Sequence, residues 1–216
     1  MKSESMALKA YTELRRKILT IQVSPDTRLK EDFWAKKLSV SRMAIREALT
    51  RLLGEGLVIL GPKGGYFVTS FTHEDITQIR ELREILELGA ISVACEKISK
   101  EKVAKLDKIC DAFSSMVEQG FFAGANEADL KFHETLMECS GNKKLLQTYL
   151  NSHIPLFHQQ ITKNTHPDND YGQTDKEHRA ILKALKDKNI ELAKKNMKAH
   201  FARGATFFAS GAAFLK

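Results

Sequence analysis

Four side chains in the second half of the sequence have the types and spacing to bind a metal ion. Asp129 and His133 are four positions apart, so both would project from one face of a helix. His178 and His200 lie about equally far from a predicted turn between two antiparallel helices, so they should meet. Three imidazoles and one carboxylate suit zinc, nickel, iron, cobalt or manganese, with positions left open for water or a small acid. Such spacing also arises by chance, and a lone histidine is more often a core or surface residue.

A second group of side chains could contact DNA. Arg42 and Arg46 are four positions apart at the start of a short basic helix, so both should point from one exposed face. An arginine in the major groove can donate two hydrogen bonds to guanine and discriminate a base pair by roughly 1–3 kcal/mol. Ser41, as the N-cap, and the helix N-terminal amides would instead hold a phosphate. Met43, between the arginines, could contact a thymine methyl or have no role.

Three further positions are candidates for DNA contact. Arg51, later in the same helix, would either contact a phosphate or be a solvated charge. Lys63 and Gly64 belong to a Gly-Pro-Lys-Gly-Gly turn between two β-prone runs, 57–60 and 66–70. Hairpin turns favour this glycine and proline chemistry. Lys63 at the tip could therefore enter the minor groove or rest on the DNA backbone, with Gly64 beside it.

The elements that must position the DNA candidates form a recognisable order. Apolar residues spaced three and four apart predict a helix over 7–22, and a second helix is predicted over 31–38. The third begins after Ser41 and ends at Gly54 or Gly56. Two short helices joined by about three residues, with the second one basic, outline a helix-turn-helix. The hairpin that follows makes it a winged helix-turn-helix of three helices, over residues 1–71.

The metal candidates lie in a different kind of sequence. From residue 72 to 216 long amphipathic patterns predict an all-α antiparallel helical bundle. The predicted helices cover 73–98, 100–119, 122–140, 143–162, 174–187 and 189–213. Pro155 should interrupt the fourth helix, and the polar stretch 162–174 should be a loop. The fold class is therefore mainly α, with an N-terminal winged helix-turn-helix and a helical bundle as the second domain.

Composition limits the class of protein. With 43% hydrophobic and 28% charged residues the chain resembles ordinary globular proteins. No apolar run approaches the roughly 20 residues that span a bilayer, and the start lacks a secretory signal. We therefore expect a cytoplasmic protein without a membrane partner. Its three cysteines are widely spaced and lack a Cys-x-x-Cys pair, so we expect buried free thiols.

The positive charge is unevenly distributed. Residues 1–70 contain 13 Lys and Arg against 7 Asp and Glu, a net charge of +6. The remainder contains 21 against 20, a net charge of +1. Solvated surface lysines would not produce this asymmetry. A basic excess in one third of the chain indicates that this third faces a polyanion, with nucleic acid the first candidate.

The segment LKEDFWAKKLSVSRMAIREALTRLLGEGLVILGPKGGYFV resembles the DNA-binding domain of GntR-type regulators. The usual pattern runs Glu, Leu-Ala, Leu-Gly-Val-Ser-Arg, Arg-Glu-Ala-Leu, Arg-Leu, Glu-Gly-Leu-Val and a glycine-rich wing. This sequence departs from it at Trp34, where leucine is usual, and at Ser39, where glycine is usual. Met43 and Ala44 replace a common Thr-Pro. That last difference lies on the predicted reading face, so the resemblance does not supply the operator sequence.

The segments DLKFH, SGNKKL, EHRAILKALKDKN and AKKNMKAH are similar to the FCD effector domain of the FadR subfamily of GntR regulators. Many members bind a metal through one Asp and three His. The resemblance places this site, with zinc or nickel first, at Asp129, His133, His178 and His200. It also aligns an Arg-x-x-x-Glu pair with Arg83 and Glu87. Arg83 is then a candidate for pairing with an effector carboxylate, and the alternative is a salt bridge to Glu87.

These observations predict a transcriptional regulator, with a repressor favoured, and not an enzyme. A homodimer would read a palindromic operator, and a small organic acid in the bundle would change DNA affinity. In a second hypothesis the metal itself is the signal. A metallohydrolase would need a general base near the open site. Glu134 and Glu177 adjoin predicted ligands, but neighbours on a helix point about 100° away, so neither is well placed.

Overall fold

The computed structural model describes residues 5–19, 22–152, 154 and 170–211, with side chains up to residue 204. The chain divides into two compact units, Met1–Phe71 and Thr72–Lys216. Each unit has its own buried apolar residues. Within the described residues, no helix is both long and apolar enough to cross a membrane.

The first unit combines helices with a small sheet. Its elements are α1 Met6–Leu19, β1 Arg28–Leu29, α2 Glu31–Leu38, α3 Arg42–Gly54, β2 Val58–Leu60 and β3 Tyr66–Val68. The sheet is antiparallel in the order β1-β3-β2, and Phe67 pairs with Arg28 on one side and Ile59 on the other. The sequence patterns predicted β2 and β3 but missed β1. Two residues are too short to show a period-two pattern, and β1 exists only because β3 lies beside it.

The core of the first unit lies between α1 and α3. Buried α1 side chains, Leu14 and Ile18, face a row on α3 that includes Ile45 and Leu49. Trp34 is buried as well, so the usual leucine is replaced by a larger core residue. The prediction that the first helix reaches residue 22 is wrong. The chain turns there because the Gln22 N–H bonds to the Lys17 carbonyl.

The local sequence of the turn between α2 and α3 sets the helix-turn-helix geometry. Ser39 caps α2 in the left-handed conformation, with φ 54°. This conformation is costly for residues other than glycine, typically by about 1–2 kcal/mol, and explains why glycine is usual there. Ser41 begins α3 as its N-cap, and its side chain accepts a hydrogen bond of 3.1 Å from the Ala44 N–H. The turn therefore keeps the helix-turn-helix geometry despite the missing glycine.

All the described elements of the second unit are helices. They are α4 His73–Lys97, α5 Lys100–Glu118, α6 Phe122–Cys139, α7 Lys143–Asn151, α8 Tyr171–Lys186 and α9 Ile190–Gly211. Together with the first unit they confirm the predicted fold class. The predicted loop 162–174 is wrong at its end, since α8 already begins at Tyr171. Asp170 caps it by accepting a 2.9 Å hydrogen bond from the Gln173 N–H. Pro155 and residues 155–169 lie outside the described part.

The core of the second unit lies among α4, α5, α6, α8 and α9, where side chains such as Ile91, Phe132 and Leu182 are buried. The three cysteines are free and buried in this unit, as predicted. Burial raises the pKa of the Cys110 thiol to about 12. The thiols are thus packing residues, and the polar chemistry of the bundle lies elsewhere.

Candidate metal centre and DNA-reading surface

The bundle brings the four predicted metal-binding side chains together. Asp129 and His133 come from α6, His178 from α8 and His200 from α9, and one potential ligand atom of each lies within 4.8 Å of all the others. His178 Nε2 is 3.0 Å and His133 Nε2 is 3.8 Å from Asp129 Oδ1. His133 Nε2 is also 3.3 Å from His200 Nε2. All four residues are buried, so they form one enclosed cluster of three nitrogens and a carboxylate oxygen.

The cluster fits a transition metal by a simple geometric test. Atoms that each lie about 2.1 Å from a shared ion are separated from one another by about 3–4 Å. Three separations in the cluster, at 3.0, 3.3 and 3.8 Å, fall in this range, and all the ligand atoms lie within 4.8 Å of one another. His178 Nε2 is buried and makes no hydrogen bond within the described residues. Its ring is fixed by stacking on Phe132, with ring centroids 4.0 Å apart. A fixed, buried nitrogen that faces other ligand atoms suits a metal ion better than a packing role.

A short turn explains why distant histidines meet. Helices α8 and α9 are joined through Asp187, Lys188 and Asn189, with Lys188 at φ 52°. The Asn189 N–H bonds to the Ala184 carbonyl and closes the turn. The two helices pack against each other, and the rings of His178 and His200 approach to 5.1 Å between centroids.

Two glutamates hold the outer nitrogens of two of the histidines. His133 Nδ1 donates to Glu87 Oε2 at 2.6 Å, and His200 Nδ1 donates to Glu177 Oε2 at 2.8 Å. Because Nδ1 carries the proton, the Nε2 lone pair of each ring faces the cluster. The sequence spacing does not predict this role: it indicates a poorly placed general base for Glu177 and a salt bridge to Arg83 for Glu87.

Each of these glutamates is also bonded to an arginine. Arg83 Nε donates to Glu87 Oε1 at 2.8 Å, and Arg203 Nε donates to Glu177 Oε1 at 2.7 Å. Arg203 Nη2 makes further bonds to Glu177 and to Thr174. The centre thus has two Arg–Glu–His chains that end on its histidines.

The electrostatics of these chains favour a metal-competent protonation state. Burial lowers the pKa of His133 to about 4 and also lowers the pKa of His200. Burial alone would raise the pKa of Glu87, but His133 and Arg83 outweigh it and bring that pKa to about 2. Glu177 reaches about the same pKa through His200 and Arg203. At neutral pH His133 and His200 are therefore neutral and Glu87 and Glu177 ionised, and a neutral imidazole is the form that binds a metal.

The metal-free protein should become less stable as the pH falls from about 6.5 towards 4. In this window His133 binds a proton in the unfolded chain, with a pKa of 6.5, but not in the folded one, with a pKa of about 4. The unfolded state then binds more protons, so stability rises with pH. Between pH 7.5 and 5 the loss from this one group should be about 2 kcal/mol.

Urea denaturation of chelator-treated protein at the two pH values measures this loss. His133→Gln should reduce the pH dependence. His73→Gln, at an exposed position, serves as the control and should leave it unchanged. A His133→Gln protein with the original pH dependence would contradict the assignment.

Arg83 combines the two roles that the sequence left open. Its Nε forms the predicted salt bridge to Glu87, but its Nη2 is buried without a hydrogen-bond partner among the described residues. Its guanidinium lies over the Phe201 ring, 4.8 Å from the centroid. The buried Tyr149 hydroxyl on α7 likewise lacks a hydrogen bond within the described part, and the charge of Arg83 lowers the Tyr149 pKa against the larger effect of burial. Two donors therefore remain available beside the cluster.

In the first unit, the predicted base-reading arginines are exposed on α3 and paired with acids on α2. Arg46 donates from Nε and Nη2 to the two carboxylate oxygens of Glu31, at 3.0 and 2.9 Å. Arg42 Nε lies 3.0 Å from Asp32 Oδ1. Met43, between the arginines, is 69% exposed. These side chains form one outward-facing polar surface with an apolar centre.

The remaining DNA candidates differ in their contacts within the first unit. Arg51 lies over the Tyr11 ring, 3.7 Å from the centroid, and forms an ion pair with Glu55. Lys63 is exposed at the wing tip, beside Gly64 at φ 79°. The structure thus places Arg51 against α1 and leaves Lys63 exposed at the tip of the hairpin.

Sequence reasoning missed two residues on this side of the unit. Arg28 on β1 is exposed and lies 5.9 Å from the centroid of the Phe67 ring in the wing. The Tyr66 hydroxyl on β3 is 3.3 Å from Thr50 Oγ1 on α3, which connects the wing to the reading helix. Both depend on the sheet, so no local pattern could have identified them.

A winged helix-turn-helix joined in sequence to a helical bundle with a buried histidine and carboxylate cluster defines a class of protein: a DNA-binding regulator with a separate helical domain. The sequence comparisons agree with this class. The profile described as FCD domain matches residues 78–203, and the profile described as bacterial regulatory proteins, gntR family, matches residues 6–68.

Individual relatives support the same assignment. An uncharacterized HTH-type transcriptional regulator, YdhC of Bacillus subtilis, is 30% identical over 90% of this chain and 87% of that protein. The gluconate operon transcriptional repressor of Bacillus licheniformis is 26% identical over 91% of this chain and 82% of that protein. The fold is shared with a GntR regulator from Rhodococcus sp. RHA1, with a TM-score of 0.78 at 23% identity, covering 95% of this chain and 99% of that chain.

The chain belongs to the GntR family of bacterial regulatory proteins, and its second unit is an FCD domain. This confirms the resemblance seen in the sequence. The protein is therefore a DNA-binding transcriptional regulator and not an enzyme, since its family and relatives are regulators. The metallohydrolase alternative is set aside on this ground.

Proposed function

We propose that this regulator is a repressor whose DNA affinity is controlled by a small organic acid bound beside a divalent transition metal. The metal, zinc or nickel first, would be held by Asp129, His133, His178 and His200. The observation that carries the proposal is the convergence of their ligand atoms within 4.8 Å in a buried site. A bound metal would supply a positive charge with open positions for a carboxylate.

The residues around the cluster support an acid as the ligand. Arg83 keeps Glu87 ionised through Nε and still has a buried Nη2 donor, while Tyr149 offers a buried hydroxyl. Arginine suits carboxylates because its N–H groups form a planar fork. An entering carboxylate would accept hydrogen bonds from these donors. Its charge would be balanced by the metal ion, because the Arg83 guanidinium is already paired with Glu87.

Two further parts of the proposal concern the DNA. One α3 helix spans only a few base pairs, so a homodimer would read a palindromic operator with two copies of this surface. Repression is supported by the relative named as the gluconate operon repressor. The acid would favour one arrangement of the dimer over another and change DNA affinity by linkage.

The test begins with genomic fragments retained by the purified protein. For metal-loaded protein, a panel of mono-, di- and tricarboxylic acids should contain one that changes the Kd of a retained duplex by about 5- to 150-fold. Arg83→Lys should abolish this response while DNA binding without acid is unchanged, because lysine keeps the charge but loses the fork.

Arg203→Lys is the matched control, since it alters the other Arg–Glu–His chain and should keep the response. A change in DNA affinity on chelation alone, with no effect of any acid, would show that the metal itself is the signal. If neither acid nor chelator changes the Kd, the proposed control is wrong.

A further inference from the structure

The two acids at the start of α2 hold the arginines of α3 in different ways. Glu31 is mostly buried, with 18% of its side chain exposed, and accepts two hydrogen bonds from Arg46. Asp32 is 74% exposed, and its Oδ1 lies 3.0 Å from Arg42 Nε. Arg42 Nη2 is also 3.7 Å from Glu31 Oε2, a longer contact than the 2.9 Å from Arg46 Nη2 to the same oxygen. The pair formed by Glu31 is thus anchored on the protein side, whereas the Asp32 pair lies in solvent, where such pairs are weak.

The bond geometry leaves one edge of Arg46 available. A guanidinium has five N–H donors, and Glu31 engages the edge formed by Nε and Nη2. The terminal edge, formed by Nη1 and Nη2, still points away from the carboxylate. Because 54% of the Arg46 side chain is exposed, DNA can approach this guanidinium from solvent. Guanine needs two donors from one edge, so Glu31 does not prevent base reading.

Holding Arg46 in this way has opposite effects on two kinds of DNA contact. An unrestrained arginine loses side-chain entropy when it contacts a base. An arginine that is already held in place loses less, so its base contact is favoured. A phosphate contact would instead draw the guanidinium away from Glu31 and bring the carboxylate close to a negative charge. The Arg46 hydrogen bonds lower the pKa of Glu31, so this carboxylate is ionised at neutral pH before DNA binds.

We propose that Glu31 is a specificity-determining residue of this regulator: it presents Arg46 to a guanine and withholds it from phosphates. The inference rests on the proposed role of Arg46 in base reading. Glu31 acts through Arg46 without touching DNA and is therefore a positioning residue. Its removal should strengthen binding to arbitrary DNA and weaken the choice between bases.

The experiment uses the full chain and duplexes selected by the unmodified protein from a randomised library. Selection repeated with Arg46→Ala identifies the position that Arg46 reads. The Kd is then measured at one salt concentration for the selected duplex, the same duplex with that base pair changed, and an unrelated duplex. The unmodified protein should prefer the selected base pair by about 5- to 150-fold.

For Glu31→Gln we expect this preference to fall below about 3-fold, while the affinity for unrelated DNA rises. The salt dependence of that affinity should steepen by up to about one unit, which corresponds to one added phosphate contact. Glu31→Asp separates the two effects, because it keeps the charge but shortens the reach. It should lose base preference without gaining affinity for unrelated DNA.

Asp32→Asn is the matched control, with the same change of charge in the same helical turn, and should keep the base preference. A Glu31→Gln protein that folds normally by circular dichroism and keeps the full preference overturns the inference. If Arg46→Ala itself changes no base preference, the proposed role of Arg46 fails and the inference with it. If Arg46→Ala loses the base preference but Glu31→Gln keeps it, the proposed role of Arg46 stands and only the inference about Glu31 fails.

Discussion

His178→Ala should weaken zinc or nickel binding by at least about 100-fold. Removing an outer-sphere partner of a metal ligand typically costs 10- to 100-fold in affinity, so losing a ligand should cost at least the upper end of this range. His178 is a sharp choice because its Nε2 lies 3.0 Å from Asp129 Oδ1 and makes no hydrogen bond in the described part of the chain. Its loss should leave both Arg–Glu–His chains intact.

A second variant separates the loss of a metal ligand from the loss of packing. His178→Phe keeps a ring stacked on Phe132, where the two centroids are 4.0 Å apart, but has no ligand atom. Competition with a chelator of known affinity and elemental analysis measure the binding. The unmodified protein should hold one ion per chain, and added metal should raise its Tm. A His178→Phe protein with the same affinity and the same increase in Tm would contradict the proposed centre.

Glu177→Gln provides an intermediate case. It removes the charge that holds His200 Nδ1 but leaves every proposed ligand in place. Metal affinity should fall by about 10- to 100-fold. The exposed His73→Ala should have no effect. A metal affinity that falls most in His178→Ala, less in Glu177→Gln and not at all in His73→Ala would show that the cluster is a ligand set and not only a packed group of side chains.

Glu87→Gln should lower the free energy of unfolding of the metal-free protein by about 3–5 kcal/mol. Glu87 is fully buried and bridges Arg83 and His133 at 2.8 and 2.6 Å. Removing its charge leaves the Arg83 guanidinium, 13% exposed, without its counter-charge. Breaking a buried pair is this costly because the remaining ion stays out of water.

Urea denaturation of chelator-treated protein measures this effect. Glu138→Gln is the control, since it breaks the surface pair with Lys105 and should cost less than about 1 kcal/mol. Glu87→Leu combined with Arg83→Met should recover part of the lost stability, because only the His133 Nδ1–H then lacks its acceptor. A single Glu87→Gln variant as stable as the control would show that these charges are not paired as described.

The sequence predicts which residues lie together where they belong to one helix or to two helices joined by a short turn. The four-residue step from Asp129 to His133 placed both on one face of α6, and the turn at residues 187–189 was enough to pair His178 with His200. The spacing of Arg42 and Arg46 likewise placed them together on α3. These predictions depend on helix periodicity, which is a local property of the backbone.

The partners of these residues could not be predicted in the same way. Glu87 and His133 are 46 positions apart, and Glu31 and Arg46 are 15 apart. No periodicity relates such pairs, because they meet only through the packing of different helices. Arg51 illustrates the same point, since the Tyr11 ring beneath it belongs to another helix.

The family and the fold class of this protein can be predicted from its sequence, because family motifs and helix periodicity are local features. The same features group the residues that we propose bind a metal or read DNA. The contacts that hold these residues in place depend on the packing of the helices. This packing places a glutamate and an arginine next to each of two histidines and pairs Glu31 with Arg46. It also leaves the buried Arg83 Nη2 without a hydrogen-bond partner among the described residues. The physical reason is that side chains far apart in sequence become neighbours only when helices pack.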